Sequence, residues 1–482
     1  MRRAGILLPI SALPSRYGIG DFGETAYQAV DIIAKMGFKT WQILPLNPLG
    51  FGNSPYQPYS SKALDEIYVD LKALHDAGLV AKINDINLDN AKVYFAKARQ
   101  YKKLKLREAF NNFKPDEEYK KFIDQKWVQE YGLFSVLKLK YGLKNWSEWE
   151  ECDAIINGTY KPEPAMEKDI EFEMFIQYVL FKQFKRLLNY AHSKGISVMG
   201  DVPFYVGLDS SDVLFDHKNF LLDEAYVPTF VAGVPPDYFS ETGQRWGNPI
   251  YDWDYLVKDN FRFWIDRLHF CADLYDEVRI DHFRAFDTYW KINAECETAV
   301  DGEWVEAPGY AFFDELFKQY PDTKIVAEDL GELRKEVVEL RDHYHFLGMK
   351  VLQFIYNPNG ENFDEIEREN LIIYTGTHDN QTVQGWHDSL SVKERASLRD
   401  KLRLEGYYER NISDIFCLIA VNSIAEVAIL AVQDVMGLDD HARINTPGTI
   451  GSPNWEFRIK DLKNLECHVK KVRLWLEESK RI

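Results

Sequence analysis

Eight short apolar segments, each separated from the next by helix-forming sequence, constrain this chain more than any other feature. They are residues 5–9, 40–46, 196–203, 277–281, 324–327, 349–354, 371–374 and 428–432. Runs this short and apolar are predicted strands buried on both faces, and strands joined by helices lie parallel. The stretches between them carry helical spacing. Ala26, Ala29, Val30, Ile33 and Met36 share one face before a stop at Gly37. Phe172, Phe175, Ile176, Val179, Leu180 and Phe184 do the same ahead of Gly195, and Trp264, Ile265, Leu268 and Cys271 precede the fourth strand. Eight parallel strands alternating with helices close into a (β/α)8 barrel. An open doubly wound sheet is the rival, and the chain has no GxGxxG opening a helix to favour it.

The spacing of the strands is uneven. About 150 residues separate the second from the third, and much of this stretch is charged and helical in pattern, as in residues 90–113. The expected architecture is one catalytic barrel domain over residues 1–482. It carries large inserted, mainly helical subdomains, with a helical insertion at about 70–170 that helps to form a cleft. A second insertion at about 205–260 carries a lid loop, and no C-terminal β-domain is expected. In that second insertion Val234-Pro235-Pro236-Asp237-Tyr238-Phe239 reads as a semi-rigid surface loop able to cover a cleft.

Composition removes several function classes. The 482 residues carry 58 Lys and Arg against 76 Asp and Glu, a net charge of −18, which repels a phosphate backbone. Twelve Trp, 27 Tyr and 30 Phe supply too much apolar area for disorder. Five isolated cysteines without a CxxC pair suit a reducing compartment. The strongest apolar stretch, residues 415–432, contains Asn422, Ser423 and Glu426 and reads as a buried helix leading into a strand rather than a membrane span. No signal peptide is read at the start, so the expectation is a cytoplasmic protein without nucleic-acid or membrane partners.

Barrel chemistry sits at the C-terminal ends of the strands, and here those ends are acidic. Strand three ends in Asp201, strand four in Arg279-Ile280-Asp281-His282, strand five in Glu328-Asp329, and strand seven runs into Thr377-His378-Asp379-Asn380. Arg279 and Asp281 are two apart and share one face, so the guanidinium favours the ionised carboxylate, which suits a nucleophile. Burial and the adjacent Asp329 charge are expected to raise the Glu328 carboxyl, which suits a proton donor. Two carboxyls with opposed protonation form the working pair of a glycosidic-bond enzyme. Asp201, Asp281, Glu328 and Asp379 are also Mg²⁺ or Mn²⁺ ligand types, but Arg279 beside them repels a metal. No cofactor or metal is expected. The aromatic segments Ser54-Pro55-Tyr56 and Arg245-Trp246-Gly247-Asn248 suit pyranose faces.

These motifs together resemble the 4-α-glucanotransferases (amylomaltase or disproportionating enzyme, glycoside hydrolase family 77). The likeness runs from Leu13-Pro14-Ser15 to Asn445-Thr446-Pro447-Gly448-Thr449 and is most specific over residues 231–249. It implies Asp281 as nucleophile, Glu328 as general acid/base and Asp379 as a third carboxylate that distorts the bound sugar. It implies sugar contacts at Ser54, Tyr56, Asp201, Trp246, Asn248, Arg279, His378 and Asn445. It also implies an acceptor-side lid at Pro235, Pro236, Asp237, Tyr238 and Phe239. The expected activity is retaining transfer of α-1,4-glucan segments between maltooligosaccharide or glucan donors and glucose or maltooligosaccharide acceptors. An α-glucan hydrolase using the same acids with water is the alternative, and a silent glucan-binding protein is the reading from a different class.

Overall fold

Strand four has Val278 and Ile280 buried against covering helices while Arg279 points the other way, into the ring of strands. That alternation recurs around a closed barrel. The computed structural model describes residues 2–86, 88–236, 240–331, 333–358, 368–409 and 411–482. The barrel strands are Arg3–Leu7, Thr40–Gln42, Ser197–Val202, Glu277–Ile280, Ile325–Ala327, Gly348–Val351, Leu371–Tyr374 and Val427–Ala431. Seven parallel pairings join them in the order six, seven, eight, one, two, three, four, five. A parallel bridge from Val326 to Leu347 closes strand five onto strand six. The alternating pattern therefore folds as the barrel, and the open sheet is excluded.

Several strands stop earlier than their apolar runs. Strand two leaves the ladder after Gln42, although Ile43 still donates to the Met199 carbonyl at 3.0 Å, because Pro45 has no N–H to continue it. Strand six turns into a short helix, Leu352–Ile355. Residues 415–432 fold as expected, into helix Ile412–Asn422 followed by strand eight. Among the described residues no helix is long and apolar enough to cross a membrane.

Between strands two and three the chain makes the helices Leu71–Asp76, Phe95–Asn112, Glu117–Ile123, Lys126–Lys140 and Cys152–Ile156 before the long helix Pro164–Ser193 returns to the barrel. Two charges of helix Phe95–Asn112 are spent inward. Lys102 is fully buried and donates to Asp21 (2.7 Å) and to the carbonyls of Ile67 (2.7 Å) and Val69 (2.9 Å). Arg99 grips both Asp65 oxygens at 2.9 and 2.8 Å and reaches Glu66 at 2.9 Å. A buried charge needs such partners, so this helix is bolted to the loop after strand two.

The second insertion carries strands on either side of the loop read at residues 234–239. Phe230–Val234 and Gln244–Pro249 pair antiparallel as a hairpin. Thr288–Asn293 and Gly302–Glu306 extend it to a four-stranded sheet, with Gln244–Pro249 at one edge and Gly302–Glu306 at the other. Pro235 and Pro236 open the hairpin tip. Asp237, Tyr238 and Phe239 lie outside the described residues. Gly243 closes the tip at φ 67°, where an added Cβ would lie 2.4 Å from the Val234 carbonyl oxygen.

Candidate active site

Arg279 organises the acids. Its side chain lies inside the barrel, 3% exposed, with one guanidinium nitrogen 2.6 Å from Asp201 and another 2.9 Å from Asp281. The planar fork reaches two carboxylates at once because strands three and four pair in register, Asp201 opposite Arg279. Asp201 is itself buried and spends its second oxygen on the Tyr56 hydroxyl at 2.7 Å. Ser54 accepts from the Tyr56 backbone N–H at 3.3 Å, which shapes the turn that delivers the ring. Asp281 follows the last residue of strand four and keeps 31% of its side chain exposed to the cleft.

Glu328 sits at the end of strand five, hydrogen-bonded through its backbone N–H to the Ile280 carbonyl at 3.0 Å. Its carboxylate accepts from the His282 backbone N–H at 2.8 Å. That N–H points to it because His282 turns left-handed, at φ 51°. Burial and then the Asp281 charge push the Glu328 carboxyl up to about 8, against the opposing pull of Arg279. The direction matches the sequence reading, but the like charge responsible is mainly Asp281, not Asp329. Asp329 faces away, paired with Arg341 and accepting from the Met349 N–H at 2.6 Å.

The loop after strand seven carries the third acid. Asn380 accepts from the Thr377 N–H (2.9 Å) and hydroxyl (2.8 Å), which closes a tight turn. His378 lies 3.3 Å from Asp379, and Asn445 donates to Asp379 at 2.6 Å. Burial pushes the Asp379 carboxyl up, but His378, Asn445 and Arg279 outweigh it and hold the group down at about 2. Tyr56 stacks on the His378 ring at 4.8 Å and contacts its Nδ1 at 3.2 Å, tying this loop back to Asp201.

On the far side, Trp246 meets the His282 ring edge to face at 4.9 Å. Gln57 donates to the Trp246 carbonyl at 3.1 Å, which links the loop after strand two to the hairpin of Phe230–Val234 and Gln244–Pro249. Asn248 is buried and donates to the Val206 carbonyl at 2.8 Å. The structure thus brings Tyr56, Asp201, Arg279, Asp281, Glu328, His378, Asp379 and Asn445 into one connected network. Trp246 is placed beside it, and Asn248, on the same hairpin strand, is spent on the Val206 carbonyl. Among the described residues no group of three or more His, Cys, Asp or Glu side chains is arranged to hold a metal ion.

Some members of the network carry no sequence signal. Arg443 donates to the Asp379 carbonyl at 2.8 Å, and the Trp455 ring lies 5.8 Å from both Tyr56 and His378. Both come from the segment after strand eight, where no apolar run or acidic strand end marks them.

The family profile described as 4-alpha-glucanotransferase matches residues 8–464. The chain belongs to the 4-alpha-glucanotransferase family. It is 40% identical over 471 residues to the 4-alpha-glucanotransferase of Clostridium butyricum, covering 94% of this chain and 95% of that one. To the Thermus thermophilus 4-alpha-glucanotransferase it is 37% identical, covering 100% and 99% of the two chains. The fold superposes on an amylomaltase from Streptococcus agalactiae, solved in complex with acarbose, with a TM-score of 0.94 at 33% identity and full coverage of both chains. As a 4-alpha-glucanotransferase, the protein transfers glucan segments between α-glucans, and the hydrolase alternative is not favoured.

Proposed function

We propose that transfer proceeds with retention through a covalent glucosyl-enzyme, with Asp281 as nucleophile and Glu328 as acid and then base. The observation that carries this reading is the opposed surroundings of the two carboxyls. Asp281 is ion-paired with Arg279 at 2.9 Å, while Glu328 is held protonated up to about pH 8. An ionised Asp281 attacks the anomeric carbon as Glu328 gives its proton to the departing glucosidic oxygen. Glu328, now a carboxylate, takes the proton from the 4-hydroxyl of the incoming glucan. That oxygen displaces Asp281 and restores both groups. Retention requires the two carboxyls at about 5–5.5 Å.

Asp379, anionic at neutral pH, and His378 hold hydroxyls of the sugar that must flatten towards the oxocarbenium ion. Asp201 works behind them, since both of its oxygens are occupied by Arg279 and Tyr56. Trp246 and the hairpin tip at Pro235 and Pro236 form the acceptor side, where the tip excludes water so that a sugar hydroxyl wins. The substrates on this reading are maltooligosaccharide and starch- or glycogen-type donors, with glucose or maltooligosaccharide acceptors. The free thiols of all five cysteines suit the reducing cytoplasm, where we place the enzyme.

Incubation with maltotriose tests the reading. A ladder of longer glucans with glucose or maltose, at constant total reducing ends, is expected. Rising reducing ends with only shorter products would establish hydrolysis, and binding without turnover would leave a silent glucan binder.

A further inference from the structure

We propose that Asp434 is a positioning residue for the loop after strand seven, where its buried carboxylate pins the far end of the turn that delivers His378 and Asp379 to the sugar. The inference rests on the reading of Asp379 as an acid that works on the bound sugar, and extends it to the short helix after strand eight.

Asp434 lies in the helix Val432–Val435, directly after strand eight, and is 1% exposed. Among the described residues no cation pairs with it, and its carboxylate accepts from the Val383 backbone N–H at 2.8 Å. An unpaired charge inside a protein is costly, and an apolar side chain of similar size would avoid that cost. What the carboxylate provides is an anchor. Val383 opens the helix Val383–Ser389, so its N–H is one of the first four that a helix leaves without an internal partner. Thr382 caps the same helix by accepting from the Gly385 N–H at 3.0 Å.

The near end of the loop is fixed as well. Thr375 is fully buried, its N–H donates to the Ile429 carbonyl at 3.3 Å, and its hydroxyl accepts from the Ala431 N–H at 3.0 Å. Gln353, just past strand six, donates to the carbonyls of Thr375 (3.4 Å) and Gln381 (2.8 Å). Gln381 donates in turn to Asp440 at 3.1 Å. The turn Thr377-His378-Asp379-Asn380 is thus strung between two clamps, one at Thr375 and one at Val383. Asp434 makes the second.

Its ionisation makes the anchor testable. Burial pushes the Asp434 carboxyl up to about 6, against the pull of the Val383 N–H and the Thr375 hydroxyl. A hydrogen bond to a charged acceptor is roughly twice as strong as one to a neutral acceptor. The clamp is therefore at full strength above pH 6 and weakens as the pH falls through it. Cys417, on the helix before strand eight, is the titratable group coupled to this charge, and burial and then Asp434 push its thiol well up. Asp440 is spent on Gln381, and His387 lies 3.5 Å from Asp388. In the loop itself, burial pulls the His378 imidazole down, but Asp379 more than offsets this, so His378 is already charged where Asp434 titrates.

The test measures kcat and KM on maltotriose across the acid range for wild type, Asp434→Asn, Val383→Pro and the double variant. Proline suits position 383, because it is the first residue of the helix and Thr382 before it is extended at ψ 152°. It removes the N–H that Asp434 accepts. Wild-type kcat should fall about three- to tenfold as the pH drops through about 6, with KM within about twofold. Each single variant should sit at or below that lower rate and show no limb near 6, and the double variant should be no slower than Val383→Pro alone. The wild-type profile and Val383→Pro decide the matter if Asp434→Asn does not fold. A wild-type profile flat through that range, a limb that persists in Asp434→Asn, or losses that multiply in the double variant would overturn the role. So would full wild-type rates in both single variants with only Tm lowered. Near wild-type rates in Asp379→Asn would instead sink the reading of Asp379 on which the inference rests.

Discussion

Raising the pH should switch off the first half-reaction through one group. Glu328 must be protonated to release the leaving oxygen, and burial beside Asp281 puts its carboxyl at about 8. The protonated fraction is then about ten elevenths at pH 7, one half at pH 8 and one eleventh at pH 9. With an ordinary maltooligosaccharide donor, kcat/KM should hold to about pH 7.5 and then fall towards tenfold per unit. An α-maltosyl fluoride donor separates this cause from general damage, because fluoride leaves without a proton. Its kcat/KM should show no alkaline limb near 8. Glu328→Gln should cost about a hundred- to ten-thousandfold on the ordinary donor, yet still be glycosylated by the fluoride. The covalent intermediate should then be visible as a mass increase on the peptide containing Asp281. A profile flat to pH 9.5 on the ordinary donor, or an equal limb on both donors, would refute the assignment of Glu328 as the acid.

Asp281→Asn should abolish both transfer and hydrolysis, by at least about ten-thousandfold, since an amide is no nucleophile; near wild-type rates would reject the assignment. Asn445→Ala removes the 2.6 Å bond to Asp379. A hydrogen bond to a charged group is worth about 1.5–3 kcal/mol, so kcat/KM should drop about ten- to a hundredfold, and an unchanged value would free Asp379 from that dependence. Replacing Pro235 and Pro236 by Gly should raise the ratio of reducing ends released to glucan transferred, and an unchanged ratio would count against a water-excluding tip. Arg481, buried with its guanidinium on the carbonyls of Arg3, Val421, Ser423 and Ala425, should cost about 3 kcal/mol or more when changed to Ala. The readout there is Tm, with the rate per folded molecule preserved.

The barrel was legible in the sequence because its signals are local. An apolar run of four to eight residues marks a buried strand, and alternation along residues 278–281 puts Arg279 and Asp281 on one face with no knowledge of the rest of the chain. Asp281 and Glu328 follow directly on those runs, and Asp379 lies five residues beyond Tyr374, in the loop after strand seven. The antiparallel sheet was not legible, because its strands carry glycine, proline and charge and are defined by pairing with segments up to about sixty residues away. The inward use of Lys102 and Arg99 was hidden for the same reason: a lysine in a helical pattern reads as solvated until the chain brings Asp21 and two carbonyls to it.

Electrostatics divide the same way. Sequence adjacency pointed to Asp329 as the like charge on Glu328. The backbone turns it towards Arg341, so its push on Glu328 is the smaller one, and Asp281, 47 positions earlier, supplies the larger. The sequence by itself determined the periodicities, the acids and the fold class they demand. Only the tertiary structure decided which charges face one another, because protonation depends on distance and burial in space, and neither follows from order along the chain.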